Sequence, residues 1–340
     1  MSGVRRAGSL VVAAFVLAAA LAAAGRADAA LARGMDVSHW QGAIDWFGVA
    51  GGGHTFVFMK ATEGTGYSDP MYAVNRSGAA SIGLRVGAYH FARPAGNGDA
   101  GLIANAIAQA DQFVQVATPR AGDLPPVLDL EARGGLDADA LSAWTQAWLD
   151  HVERRLGVKA LIYTSPSFWK SSLDGTSAFA ASGFRLWIAH WTAGAAPLVA
   201  GGNWGGLGWT FWQYSDCTKV PGISGCVDGD RFNGPAPASV AISAPSGGAA
   251  AAVVPPSVVG TPQVGKLLAA DPGRWNGRRP LTFGYQWLRC DAAGAGCVPI
   301  AGATAASYTP AAADAGRAVV VAVTAIGASG STTSTSASRS

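Results

Sequence analysis

Asp129 and Glu131 stand two residues apart at the C-terminal end of an apolar run, in the stretch PPVLDLEARGG. If that run is a strand, its period of two puts both side chains on one face, with Cα atoms roughly 7 Å apart. Two carboxyl groups at one low-dielectric place cannot both ionise cheaply, so one is held protonated toward neutral pH. A carboxyl of that kind is the general acid that cleavage of a glycosidic bond requires. An isolated D-x-E is more often a strand end whose acids pair with arginine or cap a helix, but here other residues add weight to the chemistry. Asp36, in GMDVSHWQG, ends the first strand candidate, and Asp228, in GCVDGDRF, follows the last one. Tyr89, His90, Phe91, Tyr163, Trp187, Trp191, Trp212 and Tyr214 also fall at strand ends, and ten of the 12 tryptophans precede residue 235. Aromatic faces that stack on pyranose rings, with acids at the centre, describe a saccharide groove.

These groups need a scaffold, and residues 34–234 supply alternating patterns for one. Short apolar runs bounded by turn residues predict strands over 35–38, 55–60, 84–91, 126–131, 160–164, 186–191 and 210–214. The clearest helix starts at the N-cap candidate Asp137 and runs to Leu156, just before Gly157; Leu141, Trp144, Trp148 and Val152 share one face. That spacing assigns Trp144 and Trp148 to the core rather than to a sugar platform. Strands alternating with helices predict a parallel α/β architecture, and about eight strands favour a barrel, whose active sites open at the C-terminal strand ends. Residues 235–256, rich in Pro, Ala, Ser and Gly and without charge, predict a flexible linker with a reach of roughly 25 Å. Residues 257–330 predict a small all-β block with strands over 264–269, 282–289 and 317–324. The Ser/Thr-rich residues 331–340 predict a mobile tail.

Composition sets limits on partners. The 340 residues are 49% hydrophobic and 13% charged, which excludes general disorder. Arg5 and Arg6, the apolar run 10–24 and Ala27-Asp28-Ala29 form a secretory leader over residues 1–29, too short to span a bilayer. Its removal leaves a near-neutral chain with no basic stripe, so neither nucleic acid nor stable membrane association is expected. The chain is read as a monomer. Export puts Cys217, Cys226, Cys290 and Cys297 in an oxidising compartment. Three pairings are possible, and the spacing favours the local bridges Cys217–Cys226 and Cys290–Cys297 over a zinc site.

The segments MDVSHWQGAIDW, FVFMKATEGTGYSDP, GAYHFARP, PPVLDLE, IYTSPSFW, LWIAHW and WTFWQYSDCTKVPGISGCVDGDRF resemble, in order, the motifs of the glycoside hydrolase family 25 lysozymes. The resemblance covers residues 34–234. It implies an irregular TIM-like (β/α) barrel of eight strands and about five helices, secreted or held at the cell wall, cleaving the β-1,4 bond between N-acetylmuramic acid and N-acetylglucosamine in bacterial peptidoglycan without a cofactor or metal. It also implies the roles: Glu131 as general acid/base, Asp129 assisting the substrate's N-acetyl group, and Asp36 and Asp228 as two further acids. Lys60, Glu63, Tyr89, Tyr163, Trp187, Trp191 and Gln213 match the family's supporting polar and aromatic set. The chain departs from the pattern at Asp230, where the family carries Asn. Residues 257–330 resemble bacterial Ig-like domains, with Trp287 as a core tryptophan, and the chemistry implied there is wall anchoring or none.

Overall fold

The structure is a computed structural model and describes residues 31–243, 250–277 and 281–339; the predicted leader lies outside the described residues. The N-terminal part holds β1 (Ala32–Val37), β2 (His54–Glu63), β3 (Tyr67–Ser68), β4 (Arg85–Phe91), β5 (Val127–Asp129), β6 (Leu161–Thr164), β7 (Arg185–Ala189), β8 (Phe211–Thr218) and β9 (Val227–Phe232). Eight of them close a barrel in the ring order β1-β2-β4-β5-β6-β7-β8-β9, with β9 returning to β1; β3 hangs outside on β2. Neighbours from β1 to β8 are parallel, whereas β9 is antiparallel to both β8 and β1. The sequence placed Asp228 beyond the last strand. It lies on β9, a strand that the apolar-run criterion misses because VDGDRF carries three charges and a glycine.

Around the ring lie α1 (Trp46–Gly51), α2 (Tyr72–Ser81), α3 (Gly98–Ala117), α4 (Ala138–Leu156), α5 (Pro166–Ser172) and the four-residue α6 (Ala178–Ala181). The expected helix is α4: the Asp137 carboxylate accepts from Ala140 N at 2.9 Å, and Gly157 ends the helix in the left-handed region with φ 70°. Trp144 and Trp148 are fully buried between sheet and helices, as their spacing required.

Strand alternation divides the barrel into two apolar layers. On β2, Val57, Met59 and Ala61 face the helices, while Phe56 and Phe58 point into the ring. There they meet Val127, Leu161, Phe211 and Phe232, with Phe58 and Phe211 ring centroids 5.0 Å apart. This aromatic plug fills the lower barrel. The inward positions above it, nearer the strand ends, are polar. Gly87 on β4 makes room for the plug, since a Cβ there would stand 2.4 Å from the Phe58 ring.

The C-terminal region is all-β, with β10 (Ala251–Val254), β11 (Ser257–Val259), β12 (Leu268–Asp271), β13 (Arg274–Asn276), β14 (Thr282–Cys290), β15 (Val298–Pro299), β16 (Ser307–Tyr308), β17 (Ala318–Gly327) and β18 (Gly330–Thr335). They form sheets β10-β13, β11-β12-β16 and β15-β14-β17-β18. Two readings of the sequence change here. The Ser/Thr tail is an edge strand, β18, paired along β17. The described parts of the predicted linker are also engaged: Ile242 exchanges backbone bonds with Gly122 and Asp123, and 251–254 pair with β13. Backbone pairing needs no apolar side chains, so composition alone misjudged both stretches. The region rests on α4, where Leu281 N donates to Arg155 O at 2.9 Å and Arg155 Nε donates to Leu281 O at 2.5 Å. Both predicted disulfides are present, each closing a hairpin loop: Cys217–Cys226 between β8 and β9, and Cys290–Cys297 between β14 and β15.

Gly87→Ala forces a methyl into the plug, and overpacking of this kind costs about 1–3 kcal/mol. Thermal unfolding of the variant is expected at a clearly lower midpoint than that of the parent, and an unchanged midpoint would refute the plug as a close-packed element.

Candidate active site

A cavity of about 220 Å³ opens at the C-terminal strand ends above the plug, lined by residues of β1, β2, β4, β5, β6, β7, β8 and β9. Asp36, Asp129, Glu131 and Asp228 all line it, together with Lys60, Tyr89, Tyr163, Trp187 and Gln213. The strand pleat explains the convergence. Val127 and Asp129 point into the ring while Leu128 and Leu130 face the helices, and the ladder runs on through Leu130 N, which donates to Tyr163 O at 2.9 Å. Glu131 is the next inward position and stands exposed at the rim, over the buried Asp129. Because β9 runs against its neighbours, its first residues lie at the same end as the last residues of β1, and Asp36 pairs in register with Asp228. In the eight-strand ring β5 and β9 are diametrically opposed. Asp129 and Glu131 therefore form one wall of the cavity, with Asp228 and its neighbour Asp36 across from them.

Polar contacts hold these groups in place. Gln213 Nε2 donates to Asp36 Oδ2 at 2.8 Å, and its Oε1 accepts from Tyr163 OH at 3.0 Å and from Trp191 Nε1 at 2.9 Å. Trp187 is buried, stacked on Phe58 with centroids 4.5 Å apart, and its Nε1 donates to Asp230 Oδ1 at 2.9 Å. Of the expected set, Glu63 and Trp191 stand beside the cavity rather than in its lining. Glu63 pairs with Lys60 and, at 2.6 Å, with Arg93, while Lys60 Nζ sits 4.8 Å above the Phe91 ring. Trp191 remains 57% exposed.

Sequence reasoning left out Ser38, Trp40 and Gln41 of the lining, and gave no role to Asp230 beneath it. The signal for the first three was position, since 38–41 directly follow β1 at the open end of the barrel. For Asp230 it was the two-residue spacing from Asp228. Among the described residues no group of His, Cys, Asp and Glu is arranged to hold a metal, and no helix is long and apolar enough to cross a membrane.

Crowding raises every one of these carboxyls. Burial pushes Asp36 well above the carboxylate range, helped by the charge of Asp228 and only partly offset by the Gln213 bond. Burial does the same to Asp129, with the charge of Glu131 adding to it. Desolvation of its carboxyl against the cavity wall raises Glu131, although the residue as a whole is exposed, while its contact with Asp129 and the charge of Lys60 pull it back. Asp228 is pushed up to about 6 by burial, and Asp230 is raised well above its usual value by burial and by Asp36. The site thus holds protonated carboxyl groups at a pH where isolated ones are ionised, which general-acid chemistry needs.

A family model described as glycosyl hydrolases family 25 matches residues 35–223. The chain is 38% identical over 228 residues to Lysozyme M1 of Streptomyces globisporus, covering 64% of this chain and 74% of that one. It is 32% identical over 216 residues to the N,O-diacetylmuramidase of Chalaropsis sp, covering 59% and 96%. Among solved structures, the bacterial lysozyme of Streptomyces coelicolor superposes with a TM-score of 0.55 at 35% identity, over 63% of this chain and 96% of that one.

A carboxyl raised on folding stabilises the folded state below its unfolded pKa and loses that contribution as pH rises through the folded value. For Asp228 the window runs from about 4 to about 6, with Asp36, Asp129 and Asp230 extending it upward. Glu63, Asp111 and Asp314 act oppositely, in the more acidic range, because burial is outweighed by bonds from cationic and hydroxyl partners. Asp230→Asn keeps an acceptor for Trp187 and offers Asp36 a neutral donor. Its midpoint of thermal unfolding is expected to exceed that of the parent by several degrees at pH 7.5 and by much less at pH 4; equal gains at both pH values would refute the assignment of a raised carboxyl to Asp230.

Proposed function

The chain belongs to the glycosyl hydrolases family 25, and on that premise we propose that this glycoside hydrolase cuts bacterial peptidoglycan at the β-1,4 bond between N-acetylmuramic acid and N-acetylglucosamine. The observation that carries this reading is the pair Asp129 and Glu131 on one wall of a single cavity, with Asp36 and Asp228 on the other. Glu131, open at the rim, protonates the leaving glycosidic oxygen. The substrate's 2-acetamido oxygen attacks C1 from the other side of the ring, so the nucleophile comes with the sugar. Asp129, buried beside Glu131, shares a proton with it; with that proton on Glu131, Asp129 accepts from the acetamido N–H and so makes that oxygen a better nucleophile. Glu131, now ionised, takes a proton from the water that opens the intermediate. Opposite, Asp228, ionised above about pH 6, supplies negative potential where the oxocarbenium-like charge develops, with Asp36 held protonated beside it. The Cys217–Cys226 and Cys290–Cys297 bridges fit an exported protein, and the leader over residues 1–29 supplies the route. The C-terminal region serves as an Ig-like module carried by the barrel, a reading supported by the fully buried Trp287 on its longest central strand pair.

Digestion of purified peptidoglycan by residues 30–340, followed by borohydride reduction and mass spectrometry, tests the reading. Reduced muramic acid ends are expected, with the rate falling about 10²–10⁴-fold in Glu131→Gln. Reduced glucosamine ends would overturn the bond assignment. Sedimentation with the wall but no new ends would make the protein a binder rather than a hydrolase.

A further inference from the structure

Trp40 is the most exposed large apolar residue of the barrel, with 81% of its surface open to solvent. A single exposed tryptophan ordinarily calls for no explanation. Trp40 differs from the other exposed apolar side chains, such as Phe47, Leu198 and Leu207, because it alone among these also lines the cavity that holds the carboxylates.

Its mounting is also unusual for a surface residue. Residues His39–Gln41 form one 3-10 turn entered through a capping box: Ser38 Oγ accepts from Trp40 N at 3.3 Å, and Gln41 Oε1 accepts from Ser38 N at 2.8 Å. The His39 ring lies against the indole, with centroids 4.5 Å apart. His39 is fixed in turn: its backbone N–H and its Nδ1 both donate to Asp69 Oδ2, at 3.0 and 2.9 Å, and Tyr67 OH lies 3.0 Å from the same Nδ1. Asp69 is buried. The turn is thus bound at its backbone and backed by a tethered imidazole, which leaves the indole held out at the rim with little freedom to lose on binding.

Trp191 stands elsewhere on the same rim, after β7, three strands from β1 around the ring. Asp36, Asp228 and Gln213 lie on the strands spanned by that arc. A β-1,4-linked N-acetylhexosamine chain has nearly all its substituents equatorial, so each ring presents a flat C–H face carrying slight positive charge, complementary to the negative face of an indole. Resting on the proposed activity, we infer that Trp40 is a saccharide platform of the binding groove, stacking on a pyranose ring bound on the β1 side of the cleaved bond and so fixing where along the glycan the acids act.

The test uses the whole chain with purified insoluble peptidoglycan and two readouts, sedimentation for binding and release of reducing ends for turnover. Trp40→Ala is expected to raise both the half-saturating peptidoglycan concentration and the apparent Kd about tenfold, with kcat falling much less. Trp40→Phe, which keeps a ring, is expected to recover most of that loss. Phe47→Ala, an equally exposed aromatic off the cavity, serves as control and leaves both readouts unchanged. Unaltered thermal unfolding of the Trp40 variants would separate lost stacking from lost structure. Binding and KM of Trp40→Ala within twofold of the parent would overturn the platform, as would a kcat loss with no change in KM. If the parent binds but releases no ends, the activity fails; the sedimentation arm then decides the platform independently.

Discussion

Five carboxyl groups, Asp36, Asp129, Glu131, Asp228 and Asp230, gather at the open end of one closed barrel with Lys60 as the cation in the cavity lining. Like charges crowded into a poorly solvated place repel, and the surrounding structure has to bear that repulsion. It does so by keeping protons on the acids rather than by adding cations. Lys60 is itself divided, since Glu63 holds its ammonium at the rim and Arg93 shares Glu63. The neutral Gln213 does more of the positioning. One amide gives a proton to Asp36 and receives two, from Tyr163 and Trp191, so an acid, a phenol and a rim indole are locked to one another without any net charge.

The tryptophans show how a small barrel carries so much aromatic surface. Four buried indoles find an acceptor for their N–H, Trp144 on Asn105, Trp169 on Thr176 O, Trp204 on Phe184 O and Trp212 on His190 O, whereas the buried Trp148 Nε1 has none among the described residues. These bonds tie helices and loops to one another or to the sheet, consistent with the large apolar area and single polar handle of the residue. Trp187 makes the same kind of bond, but to Asp230, and so ties the aromatic plug to the acid cluster above it.

How much of this was legible depended on whether side chains or backbone made the decision. The helix from 138 to 156 could be read because its caps and its apolar stripe are side-chain signals. The D-x-E wall was legible for the same reason: Val127, Asp129 and Glu131 alternate with Leu128 and Leu130, and the pleat does the rest. β9 was not legible, because it is a strand by virtue of its two neighbours and offers no apolar run of its own. The edge strand GSTTST and the strand at 251–254 were hidden likewise, since their ladders engage main-chain groups that every residue carries. Trp187 was foreseen near the sugar, but its indole is turned to an internal acid, and only three-dimensional packing could reveal that.

The in-register pairing of Asp36 with Asp228 joins nearly the first and nearly the last residues of the barrel. The intervening chain is long, and the entropy of closing it must be met before the final ladder forms. The hairpin clamped by Cys217–Cys226 can assemble locally, yet β9 alone brings Asp228 and Asp230 to the ring. The complete acid cluster therefore forms only when the barrel closes. A chain interrupted before residue 227 keeps Asp36 but lacks Asp228 and Asp230, so timing, as well as geometry, is written into the order of the strands.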